Sequence, residues 1–210
     1  MRQSQDPIAM FESTKLLEAA FTAAATDIVT CSGHGFVTGD KIRVTTSGAD
    51  LPAGLSTGTD YYIVKIDANT FYLNSKPGDS PDDRVNITDA GTGTHTLHLK
   101  SRVIDVEDFR HLSLAMCTAG NANFTIKIQR SNQENVDFES AASATNRWDY
   151  VQTIDNEDGS TYDGDTGFAP SGIDDNKIFA INIDAAKWVC LDVTTWTAGT
   201  ISAYLTAFND

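Results

Sequence analysis

Ten short segments that alternate with a period of two constrain this chain more than any other feature. They are "DKIRVTT", "DYYIVKI", "NTFYLNS", "HTLHLKS", "HLSLAM", "NFTIKIQRS", "WDYVQTI", "KIFAINI", "KWVCLDVTTW" and "TISAYLTAF". Each is rich in β-branched and aromatic residues, and Gly, Asn, Asp and Pro clusters separate them, so each reads as a strand with one face buried. Many short strands with regular turn signals predict an all-β protein built from small barrels or sandwiches. The one stretch with any helical reading is "STKLLEAAFTAAA", residues 13 to 25, where Ser13 would cap a helix; Leu16, Leu17, Ala19, Ala20 and Phe21 read equally as a short buried strand.

The glycines of "GHGFVTGDKIRV", residues 33 to 44, invite comparison with a phosphate-binding loop. A P-loop needs Gly, four residues, then Gly-Lys-Ser/Thr, whereas Gly39 is followed by Asp40, Lys41 and Ile42. A carboxylate at that place repels an anion. Gly35 and Gly39 are instead expected to supply positive φ and close backbone approach ahead of a strand in which Ile42 and Val44 face one way and Lys41 and Arg43 the other. The strands from there to "GTGTHTLHLK", about five in number, suit a small SH3-like barrel.

With 210 residues and 40% hydrophobic content, the chain can build a core without disulfides or metals. Cys31, Cys117 and Cys190 are odd in number and lie in strand-like settings, which fits buried thiols of a reducing cytoplasm. The N-terminal "MRQSQDPIAMFESTK" lacks a signal-peptide core, and no run approaches the length of a membrane span. The expectation is a soluble protein with no membrane partner. A formal net charge of −14 argues against nucleic acid, whose phosphates an acidic surface repels.

Candidate chemistry is sparse. Asp155, Glu157, Asp158, Asp163 and Asp165 in "DNEDGSTYDGDTG" offer oxygen ligands for Ca²⁺, but the spacing fails the EF-hand pattern, and Asp with Gly also serves turn geometry. His95 and His98, three apart on a strand, point to opposite faces; His34 belongs to the glycine turn and His111 to a strand. No G-x-S-x-G elbow occurs, and Cys190 in "KWVCLDV" reads as packed. A glycosidase needs only two facing carboxylates, which the sequence leaves open. Trp148, Tyr150, Trp188, Trp196, Tyr204 and Phe208 read either as core and interface residues or as a sugar-stacking platform. No catalytic, cofactor-binding or metal-ligating residue is assigned, and no cofactor is expected.

Residues 25 to 99, through "HGFVTGDKIRVTTSGADLPAGLSTGTDYYIVKIDANTFYL" and "GTGTH", resemble a module of tailed-bacteriophage virion structural proteins. The remainder, from "VIDVEDFRHLSLAMCTAGNANFTIKIQRS" to "TAGTISAYLTAF", resembles the jelly-roll or β-sandwich of phage head cement and decoration proteins. There a short first strand leads directly to a strand like "VIDVEDFRHL", whereas here the barrel module intervenes. The resemblance therefore implies a jelly-roll-like β-sandwich with the small SH3-like barrel inserted in its first loop, a cost that loop closure tolerates. The division expected is an N-terminal arm at 1–12, the first sandwich strand at 13–24, the barrel at 25–99 and the sandwich at 100–210. Two domains in tandem, with 1–24 as an arm, is the alternative. Ile8, Met10 and Phe11 anchor the arm, which is expected to reach a neighbouring subunit and to be dispensable for folding.

The function implied is that of a non-enzymatic capsid decoration or cement protein. It would be made in the host bacterial cytoplasm and carried on the capsid exterior of the virion, with the major capsid protein and itself, as homodimer or homotrimer, for partners. The alternative is a phage tail, collar or glycan-binding receptor protein.

Overall fold

The computed structural model describes residue 4 and residues 6–133, 148–183 and 186–209. Residues 1–3 and 5 of the expected arm lie outside it. In chain order the strands are β1 (Ile8–Phe11), β2 (Glu18–Ala23), β3 (Val29–Thr30), β4 (Lys41–Thr46), β5 (Tyr61–Lys65), β6 (Thr70–Asn74), β7 (His95–Leu99), β8 (Ile104–Asp105), β9 (His111–Ser131), β10 (Asp149–Tyr150), β11 (Thr153–Asp155), β12 (Thr161–Tyr162), β13 (Asn176–Asn182) and β14 (Trp188–Phe208). Pro81–Asp83 forms a single 3-10 turn. The chain divides into two compact units, Met1–Ser13 with Ser101–Asp210, and Thr14–Lys100. The second thus interrupts the first in sequence, between β1 and β8.

Unit Thr14–Lys100 is a closed antiparallel barrel in the order β2-β3-β6-β5-β4-β7. Alternation builds its interior: Ile42 and Val44 are buried while Lys41 and Arg43 stay partly exposed, and Phe36, Ile63, Phe71, Leu73 and Leu97 are fully enclosed. Residues 13–24, expected to start the sandwich, instead complete this barrel. Glu18–Phe21 pairs with β7 and Thr22–Ala23 with β3, while Phe21 packs against the His95 ring at 5.5 Å. Without β2 both β3 and β7 would present an open edge, so closure places this segment here. The helical reading of residues 13–25 fails for the same reason.

The other unit is one antiparallel sheet of eight strands, with β1-β14-β9-β13-β11-β12 as neighbours, β10 added to β9 and β8 to β14. Its first strand is β1, inside the segment expected as a free arm: Ile8–Phe11 pairs with Ala203–Leu205 and buries Met10 and Phe11. Apolar side chains beside an unpaired edge pack on the sheet more favourably than they hang in water.

Two 21-residue strands, β9 and β14, pair from His111↔Phe208 to Ser131↔Trp188. Each joins two segments that the sequence separates at Gly120-Asn121 and at Gly199, because those residues bend the strands without ending them. Gly120, Asn121 and Gly199 all have positive φ, and β14 shifts register between Val193 and Thr200. Asp174 accepts the Asn121 N–H at 2.8 Å, satisfying a donor that the bend takes out of the ladder. In a straight strand Leu114 and Ile126 would stand about 40 Å apart. Here both line one internal gap with Phe168 and Phe179. Phe179 pairs opposite Leu114, Phe168 bridges to Ile126, and their rings meet at 5.4 Å. The two halves of β9 therefore lie in facing layers, and one folded sheet makes a sandwich.

Candidate interaction surface

The residues singled out for chemistry mostly hold turns. In the glycine segment, Gly35 has φ +69 and a Cβ there would lie 1.7 Å from the Thr14 carbonyl oxygen; Gly39 has φ +96. Asp40 accepts the Val37 N–H at 2.9 Å and pairs with Lys15 at 2.8 Å, while the buried Asp60 pairs with Lys41 at 3.0 Å and with Arg43. The charges that follow the glycines are matched within the barrel. His34 is fully buried, stacked on Phe36 at 5.0 Å and edge-on to Phe71 at 5.1 Å, and its Nδ1 accepts the Phe36 N–H at 2.8 Å. Burial holds its pKa below the ordinary histidine value, with the nearby Lys65 charge acting the same way.

The acidic loop is organised around Lys177. Its ammonium lies 2.9 Å from Asp155, 3.3 Å from Glu157 and 4.0 Å from Asp175. Asp155, itself fully buried, also accepts the Glu157 N–H at 2.9 Å. Asp158 accepts from Ser160 N–H and Asp163 from Asp165 N–H, each closing a tight turn. The Lys177 hydrogen bond, followed by the Glu157 N–H, lowers the Asp155 pKa, and Asp155 in turn raises that of Lys177. No group of three or more His, Cys, Asp or Glu among the described residues is arranged to hold a metal.

The histidines separate as their spacing predicts. His95 lies inside the barrel, 3.0 Å from Thr46 Oγ1 and 2.9 Å from the Ala90 carbonyl, while His98 meets Thr45 Oγ1 at 2.9 Å and Glu18 at 3.2 Å. Cys31 is buried and Cys190 partly so, but Cys117 is exposed, against expectation, because it occupies an outward position of β9 beside the bend. The aromatic residues are dispersed. Trp148 is buried, Tyr150 reaches Asp192 at 3.3 Å, Trp188 donates to the Gln133 carbonyl at 3.0 Å, and Trp196 donates to the Gly199 carbonyl at 3.1 Å. Phe208 lies 5.6 Å from the His111 ring.

Tyr204 is different, since it is 43% exposed at the middle of an open sheet face. In register across four strands stand Ala9, Tyr204, Ala115 and Ile178. The next outward row is Thr206, Ser113, Ala180, Ile154 and Thr161. Ile178 is 53% exposed and Ile154 44%, while the intervening inward residues Leu114, Phe179 and Leu205 are buried. On this face, formed by residues 111–119 of β9 and 200–208 of β14 with β1, β13, β11 and β12, no outward position is Asp, Glu, Lys or Arg, although charged residues make up 21% of the chain. At one end the face dips into a shallow groove lined by His111, Ile154, Ala180, Asn182 and Phe208. Small residues on β9, namely Ser113, Ala115 and Cys117, form a trough between Tyr204 on one side and Ile178 on the other. A broad, pleated, uncharged surface with exposed aliphatic and aromatic groups is suited to packing against another protein surface.

Sequence reading missed this face because Tyr204 was weighed as a core or stacking residue and Ile154 and Ile178 were not singled out. The available signal was in the other phase of the alternation. Ser113, Ala115 and Cys117, and Ser202, Tyr204 and Thr206, are outward sets of the segments "HLSLAM" and "TISAYLTAF", and neither carries a charge.

No protein-family model matches the chain, and no curated protein matches it. Among solved structures it is similar to the PBSX exported protein XepA, with 11% identity and a TM-score of 0.37, over 100% of this chain and 82% of that one. That likeness is too slight to carry fold or function across.

Proposed function

We propose that this is a non-enzymatic structural protein of a tailed-phage particle, attached to the outside of the capsid shell as a decoration or cement subunit. The observation that carries the reading is the uncharged outer sheet face around Tyr204, Ala115 and Ile178, a surface suited to the subunit-to-subunit packing that a decoration protein repeated over a shell requires. The resemblance of residues 25–99 to phage virion modules points the same way. The partners are the major capsid protein and further copies of the chain. The mechanism is adhesion by area: buried apolar surface contributes about 25 cal/mol per Å², and repetition over many copies makes modest contacts persistent. The acidic remainder of the surface keeps crowded copies soluble. The dispersal of the aromatic residues favours this reading over a sugar-stacking receptor protein. Reconstruction of the intact particle tests it. Hundreds of copies at capsomer junctions are expected, and a few copies at a vertex or tail would defeat it.

A further inference from the structure

We infer that the uncharged face formed by β1, residues 200–208 of β14, residues 111–119 of β9, β13, β11 and β12 is covered in solution by the same face of a second copy, giving a two-fold symmetric dimer. The inference rests on the surface used in the proposed function and names its occupant.

Charge argues for it first. A chain of net charge −14 repels its own copies, and like charges brought together at a contact oppose association. Over residues 111–119 of β9 and 200–208 of β14, and on the shorter strands beside them, this face carries no acid at any outward position, so two copies meet here without that opposition. A partner chosen by electrostatic attraction would be sought by the acidic remainder of the surface and not by this face.

Area argues second. Six strands about 4.8 Å apart, with outward rows about 7 Å apart along β9, present on the order of 600 Å². Stable interfaces bury about 600 to 1,000 Å² on each partner, so the face suffices for one isologous contact. Its composition also fits, because the middle is apolar, with Tyr204, Ile178, Ile154 and Ala115, and the rim is hydroxyl and amide, with Thr161, Asn176 and Asn182.

Analytical ultracentrifugation of the purified full chain between about 1 and 100 μM tests the inference. Two-chain mass is expected for the wild type, and one-chain mass for Tyr204→Asp and for Ile178→Lys. Both side chains point outward, so both variants should keep the wild-type circular dichroism spectrum. Cys117, exposed on the same face, supplies a readout that needs no variant. Its alkylation by a polymer-linked maleimide, followed by peptide mass spectrometry, should slow about tenfold as concentration rises, with the buried Cys31 as control. A wild type that stays at one-chain mass, a mass above two chains, or folded variants that both retain two-chain mass would overturn the inference. A purified monomer that still decorates capsid junctions would sink the dimer and leave the functional reading standing.

Discussion

Lys177 holds its ammonium group 2.9 Å from the fully buried carboxylate of Asp155, at the foot of the acidic loop. With Glu157 and Asp175 also within 4.0 Å, the chain places its own cation where the carboxylates converge. The loop's negative charge is a structural feature organised by one lysine.

Lys177→Met should therefore lower the melting temperature clearly, since it strands a buried carboxylate. Millimolar Ca²⁺ should leave the wild-type melting temperature unchanged, because Lys177 occupies the centre of the cluster. Differential scanning calorimetry with and without chelator checks both. The pH dependence has a defined sign. Asp155 is depressed in the folded state, so its contribution is present above the ordinary carboxylate range and is lost as pH falls through the lower folded value. Lys177 is raised, so its contribution persists through the neutral range and is lost only in strong alkali.

His34 gives a second pH signature. Its folded pKa lies below the ordinary value of about 6.5, so on acidification the unfolded chain takes up a proton that the folded barrel refuses. Stability should fall as pH drops from about 7 through that ordinary value. His34→Gln, which keeps a neutral acceptor near the Phe36 N–H, should be less stable at pH 7 but show a shallower decline. Urea unfolding at a series of pH values measures both; an unchanged slope would count against the role of His34.

Gly35 and Gly33 should respond differently to the same substitution. Both have positive φ, but a Cβ on Gly35 would overlap the Thr14 carbonyl at 1.7 Å, whereas Gly33 has nothing within 4 Å. Gly33→Ala should cost about 1 kcal/mol, the left-handed penalty alone. Gly35→Ala should cost at least about 2 kcal/mol more or prevent folding, as equilibrium denaturation will show.

The N-terminal segment should prove structural. Phe11 is 2% exposed against β14, so Phe11→Ala should cost about 3 kcal/mol. Deleting residues 1–12 should destabilise the sheet at least as much, because Met10 is lost as well and the edge of β14 is uncovered. A truncated chain with the wild-type melting temperature would return this segment to the status of a free arm.

Much of the fold was legible locally. Alternation in "KIRV" placed Ile42 and Val44 inside, and the glycine spacing called for positive φ at Gly35 and Gly39. The separation of His95 from His98 followed from strand geometry alone. What misled was punctuation. Gly120-Asn121 and Gly199 carry the same residues as a turn, yet the chain continues through them as strand, because each long strand finds the other still beside it past the bend. The face around Tyr204 was legible only as an uncharged phase of the alternation, because alternation shows that a strand has two faces without showing which lies against a core.

By itself, then, the sequence determined that this protein is β throughout, where its chain must turn sharply, and which side chains share a face, since all three follow from steric rules acting over a few residues. Only the tertiary structure decided that Glu18–Ala23 closes the barrel, that Ile8–Phe11 edges the sheet, and that the uncharged face stands open. Strand pairing joins residues nearly two hundred positions apart, as in Ala9↔Tyr204, and which edge a segment satisfies depends on every other strand already in place.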